Sequence, residues 1–274
     1  MTLRGRRLGV SIPDTVLEEK DSLREKTTKL GAIARSCAIY GVDVVEVFRD
    51  RGGRGEAALI RRVLEYLETP QYLRKRLFPL DESLHYAGIL PPLRIPSHRV
   101  KVPVEELELG EVREGVVNAD GTVDVGLDEA PWLKGGAESG RRATVKIVSK
   151  SPLTAQAIPR DEVEEYWGYR VETRSFDEVF TDRRFSLKIA TSRLGDRLES
   201  KVDALRERVA SADGVKLVFG SPARGLFDMA GASLAKRADF VVNLFAEQHV
   251  ETVRTEEAVF AGLALVGTLS AEKA

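Results

Sequence analysis

The sequence is poor in the residues that build metal centres and disulfides. Cys37 is the only cysteine, and the 274 residues include three histidines. A single cysteine excludes an intramolecular disulfide and a cysteine zinc cluster, and so few histidines argue against a histidine metal site. Cys37 lies in the apolar stretch 32–40, so we expect a packed, inert thiol and no metal.

Long hydrophobic runs are also missing. No apolar segment approaches the roughly 20 residues that span a bilayer, and residues 8–12, after a basic start, are too short for a signal-peptide core. With a net charge of −1 and 31% charged residues, the composition is that of a globular protein without a global attraction to nucleic acid. We therefore expect a cytoplasmic protein with no membrane partner.

Alternating strand and helix patterns occupy the first and last parts of the chain. Residues 8–12 and 42–48 are predicted strands that flank a helix ending at Gly41, which predicts a β-α-β unit with parallel strands. The pattern resumes near residue 168, with predicted strands at 185–192, 215–219 and 239–243 and predicted helices at 197–210 and 255–269. The sequence therefore predicts one discontinuous α/β domain, formed by residues 1–91 and 168–274.

The middle of the chain, residues 92–167, has a different pattern. Its apolar residues alternate over short segments at 99–103, 110–117, 122–126, 142–148 and 153–158, with a tight turn at 118–121. About five short strands predict a small inserted β-barrel, for which the OB-fold is the natural candidate. A small β-sandwich-like insert is the alternative.

Two loops near the C-terminus have the composition of a ligand site. The run Gly220-Ser-Pro-Ala-Arg-Gly225 follows one predicted strand, and a polar segment leading to Thr255-Glu-Glu-Ala follows the next. Loops at the ends of parallel strands bind ligands in α/β sheets, and a glycine lets backbone approach a ligand or take a positive φ. The Lys-Ser/Thr of a phosphate loop is replaced by Leu226-Phe227, and no GxGxxG motif is present, so a nucleotide-phosphate site is disfavoured.

These loops resemble those of the SPOUT methyltransferases, and the resemblance extends over the chain. It covers segments 8–13, 34–39, 70–79, 86–93 and 253–258, and the run Pro-Gln-Tyr-Leu-Arg-Lys is typical of one branch. That archaeal and eukaryotic branch carries an OB-like insert, and its characterised activity is methylation of uridine N3 in large-subunit rRNA. The resemblance implies an S-adenosylmethionine-dependent RNA methyltransferase that acts on rRNA. It also implies a C-terminal trefoil knot, in which residues 243–254 pass through a loop at 215–240.

The resemblance also implies a homodimer built on the last helix. Residues 258–266 are small and apolar over most of the helix circumference, which favours burial on several sides. Packing against the partner subunit is the expectation, and packing on the protein's own sheet is the alternative.

Site residues follow from the same resemblance. We expect main-chain groups around the adenine to hold the cofactor, at Thr191, Gly220, Ser221, Gly225, Asn243, Gln248, Thr252 and Val253. Uridine N3 is a poor nucleophile until its proton leaves, so a base or cationic donors are needed. Arg254 and Arg35 are candidates for holding the target base or phosphate, although each could pair with a surface acid. Glu256 is the candidate base, although acids at helix starts are usually capping residues.

The only dense basic cluster is Arg74-Lys75-Arg76, which we expect to bind RNA. Residues 92–167 hold 10 basic and 14 acidic residues, so the insert should contribute shape and stacking contacts. The arginine-glycine loop at 49–55 could touch RNA or be solvated. The target uridine should be unpaired or flipped out. A non-catalytic RNA-binding or ribosome-assembly protein, and a different nucleotide-dependent α/β enzyme, remain alternatives.

Overall fold

Two β-sheets, each with its own core, organise the chain in a computed structural model that describes residues 6–50 and 55–270. The chain divides into two compact units. The first, the parallel unit, lies within residues 1–65, 82–91 and 169–274. The second, the β unit, comprises residues 66–81 and 92–168.

The strands and helices of the described residues are as follows. The strands are β1 Arg7–Pro13, β2 Val44–Arg49, β3 Val112–Val117, β4 Val123–Asp124, β5 Trp132–Lys134, β6 Arg142–Lys150, β7 Leu153–Ala157, β8 Arg170–Ser175, β9 Leu187–Arg197, β10 Gly214–Val218 and β11 Phe240–Asn243. The helices are α1 Leu23–Tyr40, α2 Ala57–Glu68, α3 Gln71–Leu77, α4 Phe176–Thr181, α5 Val202–Ser211, α6 Leu226–Ala230, α7 Leu234–Arg237 and α8 Thr255–Ser270. None of the described helices is long and apolar enough to cross a membrane.

The sheet of the parallel unit has six strands in the order β11-β9-β10-β1-β2-β8, and every neighbouring pair is parallel. All residues of β10, and all of β1 except Arg7, are buried, as expected for strands of a sheet that is covered on both faces. Strands from before and after the middle segment share this one sheet. The predicted α/β fold with a parallel sheet is confirmed.

Helix α1 begins and ends where its sequence predicts. The Ser22 hydroxyl accepts a hydrogen bond from Glu25 N (3.2 Å) and donates one to Glu25 Oε2 (2.8 Å), which is a capping box at the first turn. Gly41 follows the last turn at φ 70°, a left-handed conformation that glycine adopts without steric cost.

Strand β9 is interrupted opposite β11. Val241 pairs with Ala190, but the next residue, Val242, pairs with Asp196, so residues 191–195 bulge out of the pairing. A Cβ on Gly195 would lie 2.8 Å from Val241 O, and glycine is therefore required by this close approach of two backbones. The bulge brings residues 191–195 to the carboxyl edge of the sheet.

The β unit contains a five-stranded sheet in the order β4-β3-β6-β7-β5. Neighbours are antiparallel except β5 and β7, which are parallel. Its two end strands are also joined, because Leu133 N donates to Gly121 O (3.1 Å) and Val123 N donates to Pro131 O (2.9 Å). The hydrophobic core of the β unit contains Leu107, Val123, Val125, Leu127, Val145, Ile147 and Ala155.

One expected strand of the middle segment is absent, and one strand that forms was not predicted. Residues 99–103 form no strand, since their only ladder contact is a single bridge from Val102 to Leu127. Strand β5 was not predicted, because its three residues lie between Pro131 and two glycines. The predicted turn at 118–121 is present: Gly121 has φ 85°, and its N donates to Asn118 O (3.2 Å).

The division into units differs from the predicted domain boundaries at residues 66–81. The prediction assigns them to the α/β domain, whereas in the structure they group with the β unit. The Tyr72 hydroxyl donates to Glu114 O (2.8 Å), and Arg76 donates to Asn118 Oδ1 (2.8 Å). These contacts give helix α3 its position in that unit.

Candidate functional site

A cavity of about 130 Å³ lies at the carboxyl ends of β9, β10 and β11, where parallel sheets bind ligands. It belongs entirely to the parallel unit. The bulge of β9, the segment after β10, the end of β11 with the residues after it, and the first residues of α8 all contribute to it. The lining comprises Thr191, Ser192, Phe219, Gly220, Ser221, Gly225, Asn243, Leu244, Phe245, Val253, Thr255 and Ala258.

Six of the eight residues expected to bind the cofactor line this cavity: Thr191, Gly220, Ser221, Gly225, Asn243 and Val253. Gln248 and Thr252 do not. The Gln248 side chain donates to Val250 O (3.0 Å) and Glu251 O (3.1 Å), so its amide closes a turn of its own segment. Thr252 is exposed.

The loop 220–225 is held by its own hydrogen bonds. Ser221 N donates to Arg224 O (2.9 Å), and Arg224 N donates to Ser221 Oγ (3.0 Å). A Cβ on Gly220 would lie 2.9 Å from Arg224 O, so this glycine is required by the loop's own backbone. At Gly225, with φ −74°, a Cβ would meet only Asp228 Oδ2, at 3.4 Å. Neither glycine has a positive φ, and only Gly225 leaves space that a ligand could use.

Side-chain hydrogen bonds connect the loops around the cavity. Thr255 at the start of α8 donates to Gly220 O (3.4 Å), and Thr191 donates to Val218 O (3.3 Å). Asn243 donates to Arg193 O (3.0 Å) and accepts from Phe245 N (3.0 Å). The ends of three strands and one helix are therefore fixed relative to one another before any ligand binds.

The three catalytic candidates lie outside the cavity lining. Arg254 directly precedes α8 and is exposed, and its guanidinium makes no hydrogen bond or ion pair with any residue that the structure describes. Arg35 is exposed on α1. Glu256 lies 3.2 Å from Lys29 Nζ, and Lys29, which is 3% exposed, also pairs with Glu19. Glu256 thus serves as a counterion for a buried lysine.

A second cavity, of about 250 Å³, is lined by several charged side chains, of which the sequence analysis singled out only those of the loop 49–55. Its lining is Arg49, Asp50, Phe176, Asp177, Arg224, Met229, Ala230, Ser233 and Arg237. Arg224 belongs to the loop 220–225, and its guanidinium pairs with Asp50. The only sequence signal that could have pointed to Arg224 is its position in the loop between Gly220 and Gly225. Residues 51–54 of the arginine-glycine loop lie outside the described residues.

A family model described as "Putative RNA methyltransferase" matches residues 7–266. The chain belongs to this family of RNA methyltransferases. An uncharacterized protein of Halobacterium salinarum is 33% identical over 93% of this chain and 96% of its own length. The mouse 28S rRNA (uridine-N(3))-methyltransferase is 32% identical over 94% of this chain and 75% of its own length. The human enzyme of the same name is 31% identical over 94% of this chain and 77% of its own length.

A methyltransferase of this family needs a methyl donor, and the first cavity has the composition of a site for the uncharged part of an organic ligand, such as a heterocyclic ring. Of the described residues that line it, none carries a charged side chain. Apolar walls from Phe219, Leu244 and Val253 alternate with hydroxyl and main-chain groups, as in sites for heterocyclic ligands. Its volume is below the roughly 300 Å³ at which ligand pockets begin, so a donor would be enclosed only in part.

The basic cluster of the methyltransferase, Arg74-Lys75-Arg76, contains one partly buried arginine and two exposed cations. Arg74 donates to Thr69 O (2.9 Å) and Leu67 O (3.1 Å) and lies 4.6 Å over the Tyr66 ring. It therefore satisfies carbonyls at the end of α2. Lys75 and Arg76 are exposed.

Proposed function

We propose that the protein methylates N3 of an unpaired uridine in large-subunit rRNA, with S-adenosylmethionine as the methyl donor. The observation that carries this proposal is the similarity to the mouse and human 28S rRNA uridine-N3 methyltransferases over 94% of the chain. The cavity at the strand ends supports it, because the residues expected around the cofactor converge there.

The donor would be held at the first cavity by Thr191, Gly220, Ser221, Gly225, Asn243 and Val253, with Gln248 keeping the neighbouring turn closed. When bound, it supplies a sulfonium methyl group for in-line transfer. The chain's contribution is to orient donor and acceptor and to exclude water. The hydrogen bonds between the loops support this assignment, because they preorganise the main-chain groups that would surround the adenine.

Among the catalytic candidates, Arg254 is the best supported. Its guanidinium is exposed beside Val253 and Thr255, which line the cavity, and a cation there would stabilise the uridine anion as N3 loses its proton. Arg35 is proposed as a second contact to the RNA. For Glu256 the pairing with buried Lys29 favours a structural role, attaching α8 to α1.

We further propose the trefoil knot and an OB-like barrel. The knot is supported by the path of residues 243–254, which leave β11 at the sheet edge and end where Thr255 contacts Gly220. The barrel is supported by the strand order of the β unit, its one parallel pair β5–β7 and the hydrogen bonds that join its end strands.

A homodimer is proposed through α8. Phe260 is 47% exposed on this helix and touches Tyr40 edge-on, with 5.6 Å between ring centroids, and the adjacent Ile39 is 51% exposed. Exposed apolar surface of this kind is typical of an interface. A partner subunit next to the first cavity would also enclose more of the donor.

The proposal is tested with the purified protein and rRNA that lacks the modification. Calorimetry should give micromolar S-adenosylmethionine binding, and nucleoside mass spectrometry should find 3-methyluridine after the reaction. Donor binding without methylation would favour the non-catalytic alternative, and methylation of another atom would correct the assignment of the product.

Gly225→Val tests the position of the donor. The backbone at φ −74° accepts valine, so unfolding free energy should fall by less than about 1 kcal/mol, while donor affinity falls at least tenfold because the side chain occupies the cavity. Gly88→Val is the matched control, since a Cβ there meets no atom within 4 Å. Unchanged donor affinity in Gly225→Val would remove the donor from this cavity.

A further inference from the structure

The β unit exposes an aromatic side chain that the proposed chemistry does not use. The protein has two tryptophans. Trp167 is 4% exposed and donates its indole N–H to Glu114, whereas Trp132 on β5 is 58% exposed. A large, rigid ring on the surface of a strand is a typical contact residue, because it offers apolar area with few rotatable bonds to immobilise.

The register of three strands defines the surface around Trp132. Residues directly opposite each other point to the same face of a sheet. On β5 and β7, Trp132 pairs with Thr154 and Lys134 with Gln156. On β7 and β6, Gln156 pairs with Lys146 and Thr154 with Ser149. The intervening residues Leu133, Ala155 and Ile147 belong to the core. The outer face, called the Trp132 face here, comprises the exposed residues Trp132, Lys134, Lys146 and Gln156, half-buried Ser149, and Thr154, which is only 4% exposed.

The charge of the Trp132 face is opposite to that of its surroundings. Residues 92–167 carry 14 acidic and 10 basic residues, yet the six residues of the face include two lysines and no carboxylate. At the other side of Trp132, its bridge partner Thr122 belongs to the turn whose Asn118 accepts from exposed Arg76. Arg76 is also paired with Asp124 (3.2 Å), so the positive charge of this surface comes mainly from Lys134 and Lys146.

We propose that the Trp132 face binds single-stranded RNA, with an unpaired base stacked on Trp132 and phosphates contacted by Lys134 and Lys146. Base stacking on an aromatic ring and nearby lysines are the two elements of sequence-tolerant single-strand binding. The family of the chain makes RNA the partner whose charge this face complements. The identity of the RNA as substrate rests on the proposed function, but the binding itself is measured without methyl donor.

The test uses the full-length protein and a fluorescein-labelled 12-nucleotide oligouridine, with fluorescence anisotropy as the readout. Trp132→Ala should weaken binding about tenfold, as expected for the loss of one stacked base, and Trp132→Phe should retain affinity to within about threefold. Val100→Ala is the matched control, an exposed apolar residue (72%) of the same unit, and should leave affinity unchanged. The double variant Lys134→Ala/Lys146→Ala should lower the salt dependence by up to about two phosphate contacts.

Two further readouts keep the outcome clear. RNA should quench the fluorescence of Trp132, and the signal should vanish in Trp132→Phe because Trp167 is buried. Unchanged RNA affinity in Trp132→Ala, or equal losses in Trp132→Ala and Val100→Ala, would overturn the proposal. If RNA binding requires Trp132 but the protein methylates no rRNA, the Trp132 face stands and the proposed function fails.

Discussion

At the scale of single residues, a buried carboxylate holds much of the β unit together. Glu114 is 2% exposed and accepts hydrogen bonds from Arg142 Nε (2.5 Å), Thr144 Oγ1 (2.6 Å) and the Trp167 indole. Arg142 also donates to Glu68 (2.6 Å). Without Glu114, Glu68 alone would have to balance both Arg142 and Arg160, and the partly buried network would keep one net positive charge without compensation.

Glu114→Gln should therefore lower the unfolding free energy of the β unit by about 3 kcal/mol at pH 7. Urea unfolding followed by the fluorescence of buried Trp167 measures this loss. Glu138→Gln is the control, since Glu138 forms an exposed pair with Arg141 and should cost less than about 0.5 kcal/mol. Equal stability of the two variants would show that the buried network contributes little.

The same carboxylate, Glu114, makes the folding stability depend on pH, and the direction of its pKa shift determines how. Burial raises the pKa of Glu114, but the charge of Arg142 and the hydrogen bond from Thr144 outweigh it, so the pKa lies below its usual 4.5. A carboxyl with a lowered folded-state pKa stabilises above its unfolded value and loses that contribution as the pH falls. Below about pH 4.5 the wild type should lose stability more steeply than Glu114→Gln, and parallel curves would contradict this.

Residues that act through sequence-local geometry were predictable, and those that act through tertiary contacts were not. The cavity residues next to strand ends follow from the strand pattern together with the resemblance. The hydrogen bond between Trp167 and Glu114 joins residues 53 positions apart, and Arg224 and Asp50 are 174 positions apart. No local sequence pattern indicates contacts between residues that are so far apart in the chain. Gly220 shows the same difficulty. The sequence suggested that this glycine makes room for a ligand, but in the structure a Cβ at this position would clash with the carbonyl oxygen of Arg224.

At the scale of elements, helix α3 combines a structural residue with two exposed cations. Arg74 caps the end of α2. Lys75 is exposed, and Arg76 is exposed but also contacts Asn118 and Asp124. Replacing all three residues together would mix loss of stability with loss of RNA contacts. The two effects separate when the exposed pair and Arg74 are changed independently.

Lys75→Ala/Arg76→Ala should weaken RNA binding and lower its salt dependence by up to about two phosphate contacts, because both cations are exposed. Donor affinity should hold. Arg74→Ala should instead reduce stability by about 1–2 kcal/mol through the loss of hydrogen bonds to two carbonyls. Anisotropy over a salt series and thermal unfolding distinguish the variants, and an unchanged salt slope in the double variant would exclude α3 from RNA binding.

Elements of the parallel unit were predicted closely because their buried strands are continuous apolar runs. Predicted strand 215–219 corresponds to Gly214–Val218, and predicted helix 255–269 to Thr255–Ser270. Short strands of the β unit were harder to predict, since Trp132–Lys134 has only three residues and gains its pairing from β7. Alternation alone also gave a false strand at 99–103.

At the scale of the whole molecule, the remaining question is whether two chains assemble through α8. Phe260→Glu places a charge on the exposed face of that helix, and we expect it to convert a dimer into a monomer in analytical ultracentrifugation. Leu80→Glu is the control, because Leu80 is fully exposed (108%) and belongs to the other unit. A monomeric wild type, or a Phe260→Glu variant that remains dimeric, would rule out this interface.

The sheet order also dictates when the parallel unit can be completed during synthesis. Strand β1 lies between β2 and β10, and Leu8 pairs with Val215. At roughly 5–20 residues per second, the ribosome needs about 10–40 s after β1 to produce β10. Throughout that interval one edge of β1 has no partner and remains open to other strands. The β unit, whose residues are synthesised between β1 and β10, can fold during this interval. The first cavity, which depends on β9, β10, β11 and α8, therefore cannot form until the last of these elements, α8, has been synthesised.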